Sequence, residues 1–268
     1  MTGGPAGYEV YAVRYGTRRT STGEVYLNHD VYGVPDEPVG MDYYLWVARD
    51  DRRTVVIDTG FGGSGGARRG RTALGDPVAL LADLGVRAAA VPQVVVTHAH
   101  YDHIGNLARF PAAEVIVSRR EFDFWTGPYA RRAQFAWAAE PAEIAHLAAV
   151  RGQGRATLFD GPHDVAPGIE VLPVGGHTPG QAVVLVAARG GGQVVLASDA
   201  AHYYEELELD RPFAFTADLE AAYRAFDLLK EITAGPGRVL VPGHDPEVMR
   251  RFPGAPGPAV RLDCMTIV

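Results

Sequence analysis

Cysteine is almost missing from this chain of 268 residues: there is one, Cys264, near the C-terminal end. A lone cysteine closes no internal disulfide, which fits a reducing compartment and an expected cytoplasmic location. Free cysteine usually behaves as a small buried or tail residue, and Cys264 is expected to do no more. Long apolar runs are missing too. None approaches the roughly 18 residues a membrane helix needs, so no membrane partner is expected. The opening MTGGPAGYEV has no basic stretch followed by an apolar one and does not read as a signal peptide. Positive charge is scarce: the formal net charge is −7. The basic runs ARRGR (67–71), SRR (118–120) and ARR (130–132) are short and not interleaved with stacking aromatics. They read as solvated faces, and no nucleic-acid partner is expected. GFGGSGGARRG (60–70) is rich in glycine but lacks the Gly-Lys-Ser/Thr ending of a phosphate-binding loop, so it reads as a surface loop.

What the chain does have is apolar substance. Hydrophobic residues make up 47% and charged residues 21%, enough for a sizeable core. Residues 8–15, 42–48, 53–60, 93–97, 114–118, 169–177, 181–188, 193–200 and 238–246 read as strands, being β-branched or aromatic and bounded by turn residues. A short helix is expected at 76–85, with Asp76 as cap, Pro77 in the first turn and Gly85 as stop. An amphipathic helix is expected at 218–235, with Leu219, Ala222, Phe226 and Leu229 on one face and Gly235 at its end. Two β-rich halves with helices between them predict an α/β fold of stacked sheets covered by helices, in one domain spanning 1–268. Residues 119–152 form a helical insertion rich in aromatics: Phe122, Phe124, Trp125, Tyr129, Phe135 and Trp137. Such a segment packs a core, caps a pocket or lines a homodimer interface.

Chemistry concentrates in VVVTHAHYDHIGN (94–106). Alternate residues of an extended strand end point the same way, so His98 and His100 project together. Asp102 continues the alternation, and His103 follows in a turn opening the helix HIGNLARF. Imidazoles and a carboxylate at the C-terminal edge of a strand suit a divalent transition metal, zinc above all. His177 in GGHTPG, Asp199 at the end of VVLASD and His244 at the end of VLVPGH share that context: each follows an apolar strand and precedes a turn. The set is enough for two metals ~3.5–4 Å apart, and a carboxylate such as Asp199 has the two oxygens needed to bridge them.

In this order and at these separations, THAHYDHIGN, GGHTPGQ, ASDA and VPGHDP resemble the metallo-β-lactamase superfamily. The earlier VVIDTG matches its first motif, and the resemblance spans about residues 42 to 250. It implies an αβ/βα four-layer sandwich, two mixed sheets face to face with helices outside and the site at one edge. It implies that His98, His100 and His177 hold one metal and that Asp102, His103 and His244 hold the second, with Asp199 bridging. Asp58 would orient the ligands. A histidine rather than a cysteine in the second-metal set departs from the zinc β-lactamases, and the Asp-His pair at 102–103 looks like glyoxalase II, RNase Z and the N-acyl homoserine lactonases. YEVYAVRYG, SDAAHYYEELELDRPF and VPGHDPEV resemble the lactonase branch most. That branch often has a tyrosine three residues after the bridging aspartate, where this chain has His202, followed by Tyr203 and Tyr204.

The implied reaction is attack of a metal-activated hydroxide on an ester-type carbonyl, such as that of an N-acyl homoserine lactone. His202 or Tyr203 is the expected donor to the developing oxyanion, and Asp102 the proton shuttle to the leaving alkoxide. Two divalent ions, zinc before iron, manganese or cobalt, are the expected cofactors, and a small lactone or ester the partner. The same apparatus opens thioesters and phosphodiesters, so the metal ligands do not name the substrate. Acidic charge argues against a nuclease or phosphodiesterase. The complete ligand set argues against a non-catalytic metal-binding module, while iron redox chemistry is compatible with these ligand types.

Overall fold

In the computed structural model, which describes residues 7–263, strand β1 (Glu9–Ser21) turns Val10 and Ala12 to one side and Tyr11, Val13 and Tyr15 to the other, all buried. Strand β2 (Pro38–Arg49) repeats this with Tyr44, Trp46 and Ala48 against Tyr43, Leu45 and Val47. A strand apolar on both faces must be covered on both, and the chain does so with four layers.

The first sheet contains β3 (Thr54–Ile57), β4 (Thr72–Ala73), β5 (Gln93–Val96), β6 (Glu114–Ser118) and β7 (Ala156–Phe159) beside the first two. The second contains β8 (His163–Ala166), β9 (Ile169–Pro173), β10 (Ala182–Ala187), β11 (Gln193–Ser198) and β12 (Arg238–Pro242). Short strands β13 (Gly254–Ala255) and β14 (Ala259–Arg261) return to the first sheet. Its order is β13-β14-β1-β2-β3-β5-β6-β7, with β4 on β1; the second runs β12-β11-β10-β9-β8. Both are mixed: β3, β5, β6 and β7 pair in parallel, as do β11 and β12, and the other pairings are antiparallel. The inner faces meet in one core, where Trp46, Ile57, Val95 and Ile116 pack with Val171, Val184, Leu196 and Val241. This is the four-layer αβ/βα sandwich that the resemblance implies.

The outer layers explain the helices. Helix Leu219–Thr233 is capped by Asp218, which accepts from Ala221 N at 3.0 Å. It lays Ala225, Phe226 and Leu229 on Val183, Leu185, Val195 and Ala197 of the second sheet. Leu219 does not join that face, being 43% exposed in the first turn, and the helix ends before Gly235, with Ala234 as its C-cap. Asp76 caps the earlier helix as expected, accepting from Val78 N and Ala79 N. That helix is α over Pro77–Leu80 and tightens to 3₁₀ over Leu81–Leu84 before Gly85 at φ +72°.

Residues 119–152 are helical over Arg119–Thr126, Ala133–Ala136 and Pro141–Gly152 and cover the outer face of the first sheet with Trp125, Leu147 and Val150. The glycine-rich stretch departs from expectation: Gly63–Arg68 is a helical turn. A Cβ on Gly66 would lie 2.6 Å from the Phe61 ring, so the glycines admit a close approach that periodicity does not reveal. No helix among the described residues is long and apolar enough to cross a membrane. Cys264 lies outside the described residues.

Candidate metal centre and active site

Strands β3 and β5 run parallel, and β9, β11 and β12 point alike in the second sheet. The segments leaving their C-terminal ends meet at one edge of the sandwich. Past β5, His98 and His100 lie in extended chain, and Asp102 and His103 sit in the turn Tyr101–Ile104. That helix starts two residues before the expected HIGNLARF and includes His103. Past β9 comes His177, past β11 Asp199 and past β12 His244. All seven side chains are buried.

Their atoms form two nests. His98 Nε2 and His177 Nε2 each lie 3.0 Å from His100 Nδ1, and Asp199 Oδ2 lies 3.7 and 3.3 Å from the first two. Asp199 Oδ1 faces the other way, 3.3 Å from His103 Nε2 and 3.2 Å from His244 Nε2. Asp102 Oδ1 is 3.9 Å from His103 Nε2. Ligand nitrogens at about 2.1 Å around a tetrahedral zinc would lie about 3.4 Å apart, close to these separations. Asp199 therefore presents one oxygen to each nest.

The chemistry of the donors fits a cation. His103 Nδ1 is 2.7 Å from Asp58 Oδ2, His177 Nδ1 is 2.8 Å from Phe215 O and His244 Nδ1 is 2.7 Å from Asp42 O. Each acceptor fixes the ring proton on Nδ1, which leaves Nε2 as a lone pair aimed inward. His103 Nε2 and Asp199 Oδ1 are buried and make no aligned hydrogen bond. Buried lone pairs facing each other are costly unless something positive lies between them. Burial and neighbouring imidazoles push His98 and His100 well below the usual histidine range, and His177 down to about 3. Burial would lower His103 as well, but Asp199, Asp58 and Asp102 outweigh it and push it well up, so without a cation its Nε2 takes a proton, which a bound cation would displace. Burial opposes ionisation of Asp199, yet His244, His103, His202 and His98 hold it well below the carboxylate range.

Behind the nests lies a scaffold of buried polar links. Asp58, at φ +60°, accepts from Thr97 N (2.8 Å) and Thr97 Oγ1 (2.7 Å) while holding His103. Thr97 Oγ1 is 2.8 Å from Ser198 Oγ, and Ala182 N donates to Thr97 O at 2.9 Å, so the end of β5 is bound to the second sheet. Gly243 fits beside Asp199 only as glycine, because a Cβ there would be 2.7 Å from Oδ1.

Sequence reasoning missed Glu121. It is fully buried, and its carboxylate accepts from Ala99 N, Trp125 Nε1, Thr178 Oγ1 and Gly180 N at 2.6–2.9 Å. One side chain thus joins the His98–His100 segment, the His177 loop and the aromatic insertion. Nothing in SRREFDFW marks it, since an acidic residue among aromatics on a helix is usually a solvated face. Glu121→Ala would leave those donors without an acceptor. It is expected to cost about 3 kcal/mol, roughly 6–12 °C in melting temperature. A thermal melt showing no change would contradict that reading.

A cavity of about 270 Å³ opens over the nests. His100, Asp102, His177, Asp199, His202 and His244 line its floor, Tyr43, Tyr101, Trp137, Phe213 and Phe215 stand beside them, and Arg18, Glu24, Arg71 and Gln134 add further polar groups. Of the candidate donors, His202 lines it. The ring stacks on Phe213 at 3.7 Å, its Nε2 lies 3.1 Å from Asp199 Oδ2 and its Nδ1 lies 3.3 Å from Glu206 Oε1, without hydrogen-bond alignment. Burial would lower His202, but Asp199 and Glu206 push it up to about 9. Tyr203 turns away: its hydroxyl donates to Gly40 O at 3.1 Å, and its ring lies in the core. Tyr204 also points off, its hydroxyl on Leu240 O.

A four-layer αβ/βα sandwich with a histidine-aspartate cluster at the strand ends defines a class of metal-dependent hydrolases. The model of the metallo-beta-lactamase superfamily matches residues 40–244, and the chain belongs to that family. Among curated proteins it is 30% identical over 191 residues to the N-acyl homoserine lactonase AttM of Azorhizobium caulinodans, covering 67% of this chain and 68% of that one. Against an N-acyl homoserine lactonase of a Bacillus species it is 28% identical, covering 65% of this chain but 63% of the relative, so the match to that relative falls short of two thirds of its length. Among solved structures it superposes on a quorum-quenching N-acyl homoserine lactone lactonase with a TM-score of 0.75 at 21% identity, covering 91% of this chain and 94% of that one.

Proposed function

We propose that this chain hydrolyses a lactone with the help of two divalent cations, held by His98, His100 and His177 on one side and by Asp102, His103 and His244 on the other, with Asp199 shared. The observation that carries this reading is the two-faced Asp199 carboxylate between two sets of inward lone pairs. Cations bound there would supply a hydroxide nucleophile at neutral pH and a Lewis acid for the carbonyl oxygen. Zinc suits the ligand types best, ahead of iron, manganese and cobalt.

The remaining work falls to the chain's own groups. His202 presents Nε2 to the cavity, where an N–H donates to the carbonyl oxygen as it gains charge. Glu206 on Nδ1 and Phe213 beneath the ring keep that imidazole in place. Asp102 lines the cavity, where it takes the proton left on the oxygen that has added to the carbonyl and passes it to the alkoxide that leaves when the ring opens. Trp137 and Phe215, edge to face at 5.0 Å, form an apolar wall beside the reacting groups. The relatives' names put N-acyl homoserine lactones among the lactones to assay, and turnover of one would make the chain a quorum-quenching enzyme.

A pH-stat screen of metal-analysed protein against lactones of graded ring and chain length, with matched thioesters and phosphodiesters, tests this. Proton release with the lactones is expected to exceed that with the other classes. Turnover confined to thioesters or phosphodiesters would overturn the lactone assignment.

A further inference from the structure

The basic run at 67–71 reads in sequence as a solvated face, yet Arg71 is half-buried and lines the cavity over the nests. The arginines around it are already matched. Arg18, in the same wall, pairs with Glu24 at 2.7 Å, and Arg68 and Arg69 both pair with Glu140. Arg71 has no carboxylate within ion-pair distance among the described residues. Its Nε donates to Tyr101 Oη at 2.9 Å and its Nη1 to Arg69 O at 2.8 Å, and its guanidinium lies 5.8 Å from the centre of the Tyr43 ring. Those bonds use two of five N–H donors and fix the plane of the group. Arginine stays protonated, and a charge withdrawn from water without a partner is costly. Asp102 attracts it from beyond ion-pair distance, but that carboxylate is already assigned to the cations.

We propose that Arg71 is an anion-binding residue of the substrate pocket and that the preferred lactone carries a carboxylate. This deepens the reading of the chain as a lactone hydrolase and rests on it. The planar fork matches a carboxylate, which would supply the missing partner. A cavity of about 270 Å³ holds a small ring with such a substituent, whereas a long acyl chain would have to leave through its mouth. An acyl homoserine lactone offers no such anion, so the inference separates this chain's pocket from the substrate its relatives are named for.

The test compares γ-butyrolactone with 5-oxotetrahydrofuran-2-carboxylate on metal-loaded protein, in the native chain and in Arg71→Met. In the native chain kcat/KM is expected to favour the carboxylate by about tenfold or more, and that ratio to fall to near one in Arg71→Met. Arg71→Lys keeps the charge without the fork and should retain part of the preference. A native ratio near one, or a preference that survives in Arg71→Met, overturns the proposal. If both lactones slow together at a constant ratio, Arg71 merely supports Asp102 and the proposal also falls. If neither lactone is opened, the lactone reading fails instead, and calorimetry judges Arg71 separately. The ring-opened 2-hydroxyglutarate should then bind at least about tenfold more tightly than 4-hydroxybutyrate, with the difference lost in Arg71→Met. Equal binding, or a difference that persists in the variant, overturns the assignment. Melting temperature and metal content of each variant show that it is folded and loaded.

Discussion

Asp199→Ala is expected to lower kcat/KM on the best lactone by more than about 10³-fold and to reduce the bound metal below two ions per chain. The size of the effect follows from position. One carboxylate lies within 3.7 Å of the inward nitrogens of His98, His177, His103 and His244, with Oδ2 toward the first pair and Oδ1 toward the second. Alanine leaves both nests short of a ligand and removes the negative charge between two cations. His100→Ala is expected to match it, because Nδ1 of that residue is the atom both His98 and His177 face at 3.0 Å. Stopped turnover with depleted metal, measured by elemental analysis and initial rates, is the expected pair of results. Full activity in either variant would refute the ligand assignment.

Asp58→Asn is expected to weaken metal binding at the Asp102–His103–His244 nest by about 10–100-fold, with a similar loss of kcat/KM. Asparagine tolerates the φ of +60° that Asp58 adopts, so the backbone should survive the change. Hydrogen bonding decides the outcome. Both Asp58 oxygens accept: Oδ1 from Thr97 N, and Oδ2 from Thr97 Oγ1 and the Nδ1–H of His103. An amide cannot accept on both atoms. Its oxygen must stay toward Thr97 N, so its NH₂ faces His103 and favours the tautomer with the proton on Nε2, the atom needed for the cation. Metal titration monitored by activity reads the shift, and an unchanged affinity would show that Asp58 does not set the tautomer.

The strand ends were legible because two signals coincide there. Continuous valine runs such as QVVV and QVVLAS mark strands buried on both faces, and the polar residue just beyond each lies where such sheets leave their edges open. Asp199 and His244 were therefore placeable from sequence, as was the capping of a helix by Asp76; the cap that Asp218 provides was not read there. The groups that orient the site were less so. Asp58 was found through a motif, whereas Glu121, Glu206 and Arg71 sit on helices or loops where an isolated charge normally faces water. Their burial depends on which distant segments fold over them: Glu121 is enclosed by Ala99, Thr178 and Gly180. The different settings of His202 and Tyr203 were hidden for the same reason. Adjacent residues on a turn point to different sides, and one of these meets Phe213 while the other meets Gly40.

The central claim is tested most directly by a crystal structure of active, metal-loaded protein with anomalous scattering recorded at the metal edge. The account predicts two peaks. One lies about 2.0–2.3 Å from His98 Nε2, His100 Nδ1 and His177 Nε2, the other at similar range from Asp102, His103 Nε2 and His244 Nε2, with an Asp199 oxygen at each. Fully active protein with neither peak would contradict it.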